Sequence, residues 1–290
     1  MKEHLSVLLA ALAVLAVGYG GYLALFADPT TGQLMVTAVA GDVTRVAPDG
    51  REEPAGTGDF LTEATEVRVG ESGHVLLEAG EGTELRLEDK TSVRVLAADR
   101  RGVRVELDEG RVQARVRPGS RVLGVRAGGR TATAQDGRFR MARDAEGMVR
   151  IAVDEGKVAL DGPDGPAELS AGSRLDAAPG QAPVIQDRVM EELLLEMRWP
   201  ELTPGEAPAP IGGRTLPHAL VRVRGPQGTT ALRADAEGQF YTELDMPLDA
   251  RRMEVEVEVE DGLGAERSAK SQLERPVEAP VASTEVRFGG

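Results

Sequence analysis

The chain predicts an all-β protein carried on an N-terminal transmembrane helix, and three observations predict it. An uncharged run of 22 residues, Leu5 to Phe26, stands near the start; short alternating runs of Val and Leu follow, cut by glycine turns; and one ten-residue strand pattern occurs twice. The apolar run comes first. At about 1.5 Å of rise per residue it spans roughly 33 Å as a helix, enough for a hydrocarbon core of about 30 Å. Lys2 precedes it, and the first basic residue beyond it is Arg45. The positive-inside bias therefore puts the N-terminus in the cytoplasm and residues beyond 27 on the far side. A cleaved signal peptide would carry a shorter apolar region of about 7 to 15 residues. Leu25 stands at the minus-three position of a cut after Ala27, and Tyr19, Tyr22 and Phe26 gather at the outer end as an interfacial belt, so residues 1–27 read as a retained anchor. Ala16, Gly20 and Ala24, four apart, offer a small-residue face for a homodimer through the span.

Beyond the anchor, length at about 100 to 200 residues per domain predicts two domains. The net charge of −14 and a pI near 4.8 argue against nucleic-acid binding, which needs a basic footprint. Outside the anchor the aromatic residues are Phe60, Phe139, Trp199, Phe240, Tyr241 and Phe288, too few for base-stacking platforms or a broad sugar-binding surface. With no cysteine, the exported part has neither disulfides nor thiolate metal sites, and its stability must come from apolar burial.

From residue 34 to 176 the pattern is that of half-buried strands. Val67-Arg68-Val69, Val75-Leu76-Leu77, Leu85-Arg86-Leu87, Val93-Arg94-Val95, Val103 to Leu107 and Val149 to Val153 place apolar side chains on one face and mostly polar ones on the other. Asp49-Gly50, Ser72-Gly73, Gly80-Glu81-Gly82, Arg101-Gly102, Pro118-Gly119 and Asp136-Gly137 supply turns between them. The repeat aligns VRVELDEGRV at Val103–Val112 with VRIAVDEGKV at Val149–Val158. Each copy reads as a strand, a tight turn at Asp-Glu-Gly and a second strand, giving two equivalent hairpins. Asp108, Glu109, Asp154 and Glu155 could instead form acidic ligand sites, but the oxygen count and spacing of a hard-cation site are missing.

Five segments in order carry a family resemblance: Gly41-Asp42-Val43, Glu66 to Gly73, Leu107 to Val112, Val153 to Val158, and Leu169 to Gly172. Over Gly41 to Leu175 the chain resembles the FecR-like domain. The resemblance implies an extracytoplasmic β domain in the periplasm of a single-pass inner-membrane protein. In relatives with a cytoplasmic regulatory region such a domain relays a signal to a sigma factor. Here only Met1 to His4 precede the span, so that role is not expected.

Residues 177–212, rich in Pro, Ala and Gly, read as a linker holding a short strand or helix around Gln186 to Glu201; periodicity does not choose between them. Trp199 is expected to anchor a core edge through its large apolar area. Residues 213–276 return to strands and resemble small bacterial Ig-like modules through Pro217, Ala219, Val221 and Val223, then Asp235, Gly238 and Phe240, then Asp261 and Gly264. Glu254, Glu256, Glu258 and Glu260 alternate with Val255, Val257 and Val259, predicting a solvated strand face opposed by Arg222 and Arg224; a docking stripe for a basic partner is the other reading. Residues 277–290 read as a tail, with Val286-Arg287-Phe288 a hint of a final strand.

Catalytic, cofactor and metal residues are not expected. His4, His74 and His218 share no metal spacing, Gly70-Glu71-Ser72-Gly73-His74 lacks the strand-to-helix setting of a nucleophile elbow, and Gly18-Tyr19-Gly20-Gly21 lies inside the apolar run. The expected role is protein binding in envelope signalling or assembly, with an envelope protein as partner. A receptor module for a small ligand or glycan is the alternative.

Overall fold

The computed structural model describes residues 33–187, 194–200, 202, 208–245 and 250–275. The apolar run with Ala16, Gly20 and Ala24, and the tail at 277–290, lie outside them. All regular elements among the described residues are strands, and no helix there is long and apolar enough to cross a membrane. The all-β expectation holds for this part. The chain divides into two compact units, Met1–Pro183 and Val184–Gly290.

The first unit opens with β1 (Leu34–Ala40), β2 (Val43–Val46), β3 (Glu52–Pro54), β4 (Phe60–Leu61) and β5 (Glu66–Val69). The strongly alternating runs then form β6 (His74–Glu78), β7 (Thr83–Leu87) and β8 (Ser92–Ala98). The first repeat copy lies in β9 (Gly102–Val116), followed by β10 (Val122–Ala127), β11 (Arg130–Ala134) and β12 (Gly137–Arg143). The second copy lies in β13 (Val149–Asp161), before β14 (Ala167–Ser170) and β15 (Arg174–Ala177).

These strands make two layers around one core. One layer runs β4, β1, β6, β7, β9, β12, β13, β15; the other runs β3, β2, β5, β8, β9, β10, β11, β13, β14. Leu77, Leu85, Phe139 and Ile151 from the first meet Val67, Val105, Leu123 and Val158 from the second in a single buried cluster. A fully buried Val, Leu or Phe side chain contributes roughly 1.5–3 kcal/mol, and the cluster is the main source of stability in a chain without disulfides.

β9 and β13 belong to both layers. The first half of β9 pairs with β8 and, in parallel, with β10; beyond Gly110 it pairs with β7 and β12. β13 makes the passage in the opposite sense, from β12 and β15 before Gly156 to β11 and β14 after it. The expected hairpins at Asp-Glu-Gly are therefore corrected: each repeat copy is one continuous strand that bends there and changes layers. Gly110 (φ 98°) and Gly156 (φ 74°) adopt the backbone that permits the bend. A Cβ on Gly110 would sit 2.4 Å from Thr91 Oγ1 and 2.6 Å from the Lys90 carbonyl oxygen. Buried Thr91 repairs the interrupted ladder, its hydroxyl accepting from the Arg111 N–H at 3.0 Å. β12 lies between the two copies, pairing Met141 with Val112 on one side and with Ile151 on the other.

A charged network is buried where β13 meets β15. Arg150 lies opposite Asp176 and Ala152 opposite Arg174, on the face away from Val149, Ile151 and Val153. Arg150, Arg174 and Asp176 are nonetheless 2%, 1% and 0% exposed. Arg174 Nε and Nη2 donate to the two Asp176 oxygens at 2.8 and 2.9 Å, a bidentate fork. Arg150 Nη1 donates to Asp144 Oδ2 at 3.2 Å, and its Nε lies 3.5 Å from Asp176 Oδ1. Alternation over Val149 to Val153 places Arg150 on the polar face of its strand, and the pairing with β15 buries it.

The second unit contains β16 (Val184–Gln186), β17 (Glu196–Arg198), β18 (Ala209–Arg214), β19 (Leu220–Gly225) and β20 (Gly228–Arg233). It ends with β21 (Gln239–Leu244), β22 (Arg252–Glu260) and β23 (Glu266–Glu274). A three-stranded sheet, β17, β18, β21, and a four-stranded sheet, β20, β19, β22, β23, share a core in which Ile211, Phe240 and Leu244 meet Val221, Val223, Val255, Val257 and Val259. Residues 196–198 thus take the strand alternative, and β18 begins at Ala209, ahead of the boundary expected at 213. The glutamate stripe is opposed as anticipated. Arg222 pairs with Glu258 and Glu260 at 3.2 and 3.0 Å, Arg224 with Glu256 at 3.0 Å, and Lys270 with Glu256 at 3.2 Å. Neutralised across the sheet, the stripe is a solvated strand face.

Three substitutions test this architecture by chemical denaturation of the full-length protein. Gly110→Ala should cost at least about 2 kcal/mol through backbone strain and the clash at Thr91, whereas Gly119→Ala, whose added Cβ meets nothing within 4 Å, should cost less. Asp176→Asn should cost about 3–5 kcal/mol, because it leaves buried guanidinium charge uncompensated.

Candidate binding site

Three of the four acidic residues read at the repeat turns, Asp108, Asp154 and Glu155, are paired with arginines. Arg94 reaches Asp108 at 3.3 Å, Arg140 reaches Asp154 at 3.0 Å and Arg138 reaches Glu155 at 2.9 Å. Burial pushes the Asp108 carboxyl above the usual carboxylate range, while the hydrogen bond from Arg68 holds Glu66 below it. Among the described residues no group of three His, Asp or Glu side chains is arranged to hold a metal. Glu71 and Ser72 form a turn, as read, and the segment's Gly70 N–H donates to the Asp42 carbonyl at 2.8 Å, joining two of the motif segments quoted above.

The second unit carries a different feature on the outer face of its three-stranded sheet. Register places Arg198 beside Gly212 and Gly212 beside Tyr241, a single cross-strand row. Ile211 and Phe240 point into the core, so Gly212 and Tyr241 point out. A glycine at the centre of the row leaves a trough between the two flanking side chains. The trough belongs to a cleft of about 490 Å³ that Trp199, Pro200 and Gln239 also line, within the usual size range of small-molecule sites. Tyr241 is 62% exposed, and its hydroxyl donates to Glu243 Oε1 at 3.2 Å, which fixes the outer end of the ring. Partial desolvation and the Glu243 carboxylate both raise the phenol's pKa, so it stays neutral at physiological pH.

Local sequence explains the placement. Asp235 Oδ1 accepts from the N–H groups of Glu237 and Gln239 at 3.1 and 2.7 Å, closing the turn that starts β21 and setting Phe240 inward and Tyr241 outward. Gly213 is needed for packing, since a Cβ there would lie 2.4 Å from the Glu196 carbonyl oxygen and 2.7 Å from Phe240 Cζ. Gly212 is held less tightly: no positive φ requires it, and an added Cβ would meet the Phe240 carbonyl oxygen at 3.3 Å, which asks a few tenths of an ångström of the backbone, and Tyr241 Cδ2 at 3.7 Å. Glycine inside a strand weakens it unless something must approach closely. Trp199 packs against the second core, as expected, and lines the cleft as well. The trough is hidden in the sequence because Pro210 and Gly212 fall in a stretch with linker composition; the Asp-x-x-Gly-x-Phe turn and the lone Trp are the usable signals.

Known proteins were compared with the whole chain. No curated protein matches it. Two crystal structures of a putative anti-sigma factor from Parabacteroides distasonis ATCC 8503, at 2.50 and 1.65 Å, are similar at 16% identity and a TM-score of 0.39, covering 47% of this chain and 68% of theirs. The family model described as FecR protein matches residues 65–159. That span includes β5 to β12, the Gly70 to Gly73 turn and both repeat copies, and lies inside the Gly41 to Leu175 resemblance. Between Thr65 and Ala159 the chain carries a FecR domain.

Proposed function

We propose that this is a membrane-anchored periplasmic binding protein of the FecR type, acting in envelope signalling or assembly through protein contacts. The FecR domain over residues 65–159 is the observation that carries the reading. In this reading Leu5 to Phe26 crosses the inner membrane once with its N-terminus in the cytoplasm, and an Ala16, Gly20, Ala24 face can pair two copies. The second unit is an Ig-like sandwich, a reading supported by its three-stranded and four-stranded sheets on a common core. The role is binding rather than catalysis, and the partner is an envelope protein.

The trough over Gly212 favours a second, compatible reading in which the Ig-like unit is a receptor module for a small ligand or glycan.

In-cell crosslinking of the tagged full-length protein, followed by mass spectrometry, tests the first reading. One dominant envelope protein, crosslinked through residues 34–176, is the expected capture. Capture of nothing above background would overturn it.

A further inference from the structure

The trough combines three features that the fold does not require. Gly212 keeps its floor clear, and no positive φ demands glycine there. Tyr241 turns a large apolar ring to solvent while a hydrogen bond to Glu243 holds it in place. Arg198, exposed across the same row, has no ion-pair partner among the described residues. A flat ring can lie on Tyr241 over the glycine, and an acid on that ring can pair with the guanidinium.

The surroundings narrow the acid and the ring. Glu196, Asp235 and Glu243 stand on or beside this face against one further cation, Arg214 between Glu196 and Gln239, so a doubly charged phosphate meets more net repulsion than a single carboxylate does. Gln239, with an amide that both donates and accepts, suits hydroxyl groups. The cleft volume of about 490 Å³ fits one or two sugar rings better than a long peptide.

Resting on the receptor reading, we propose that the trough over Gly212 is a saccharide subsite for a ring carrying a carboxylate, such as a uronic acid. The ring lies on Tyr241 and its carboxylate pairs with Arg198.

Trp199 is the chain's single tryptophan and lines the cleft, so its fluorescence reports occupancy directly. The experiment titrates the purified full-length protein in mild detergent with tetragalacturonic acid, with neutral chitotetraose and with a proline-rich peptide, checking each by calorimetry. The expected result is saturable binding of the uronate, at least about tenfold tighter than the neutral sugar, as a charge-assisted hydrogen bond implies. Arg198→Gln should remove that preference while leaving neutral binding in place. Tyr241→Ala, at a side chain 62% exposed, should abolish binding of both sugars with the melting temperature little changed, and Gly212→Val should do the same by filling the trough, its melting temperature reporting the pressure on the Phe240 carbonyl oxygen. Equal binding of both sugars overturns the carboxylate assignment and leaves the receptor reading standing. Binding of the peptide alone overturns the saccharide. No heat and no fluorescence change with any probe overturns the receptor reading too.

Discussion

Two glycine bends hold the first unit together. At Gly110 and Gly156 a continuous strand leaves one layer and enters the other, and because β9 and β13 make this passage in opposite senses, the layers are tied at two places. The ten-residue repeat is thereby explained: the same bend is needed twice, and Val-x-Val before it and Gly-x-Val after it put apolar side chains into the shared core on both sides. β12, flanked by both copies, is held on each edge by a strand that is itself anchored in the opposite layer. Nearly all core positions are Val, Leu or Ala, and Phe139 and Met141 on β12 fill the centre between the repeats.

Charge is organised around that core. The chain has 48 acidic and 34 basic residues, and on the outer faces they meet in pairs along and across strands, as at Glu66 with Arg68 on its own strand and Arg94 on the next, or Arg222 with Glu258 and Glu260. Exposed pairs of this kind add little stability, about 0–1 kcal/mol each. Their effect is to leave strand faces polar and locally neutral. The buried Arg150, Arg174 and Asp176 network is another matter, since its members depend on one another for compensation. The row Arg198, Gly212, Tyr241 has a bare backbone in the middle, an exposed ring on one side and, on the other, a cation with no ion-pair partner among the described residues. A binding protein needs one such place.

Much of the fold was legible because the strands alternate strictly. Val67, Val75, Leu85, Val93, Val103 and Val149 all lie in the strands their spacing predicted, and the segments resembling the FecR-like domain contain the turn at Gly70 to Gly73 and both bends. The hairpin reading of Asp-Glu-Gly failed for a physical reason: a glycine of positive φ serves a tight turn and a strand bend equally well, and only the partner strands decide. β23 escaped notice because an edge strand with the sequence ERSAKSQLE buries one residue, Leu273. Arg150 occupies a position that alternation assigns to the polar face, so its burial with Asp176 is a tertiary property. Gly212 and Gly213 look alike in the sequence, and what separates them is how close a Cβ would come: 2.4 Å from the Glu196 carbonyl oxygen and 2.7 Å from the Phe240 ring at Gly213, against 3.3 Å from its nearest neighbour at Gly212.

That difference gives the most direct test of the site. Chemical denaturation of the full-length protein should show Gly212→Ala within about 1 kcal/mol of the parent, because the freedom that alanine removes from the unfolded chain offsets its 3.3 Å approach to the Phe240 carbonyl oxygen. Gly213→Ala should lose about 2 kcal/mol or more to overpacking against Phe240 and the Glu196 carbonyl. A loss at Gly212 as large as that at Gly213 would contradict the account, since it would make both glycines servants of the fold and leave the trough without a reason to be open.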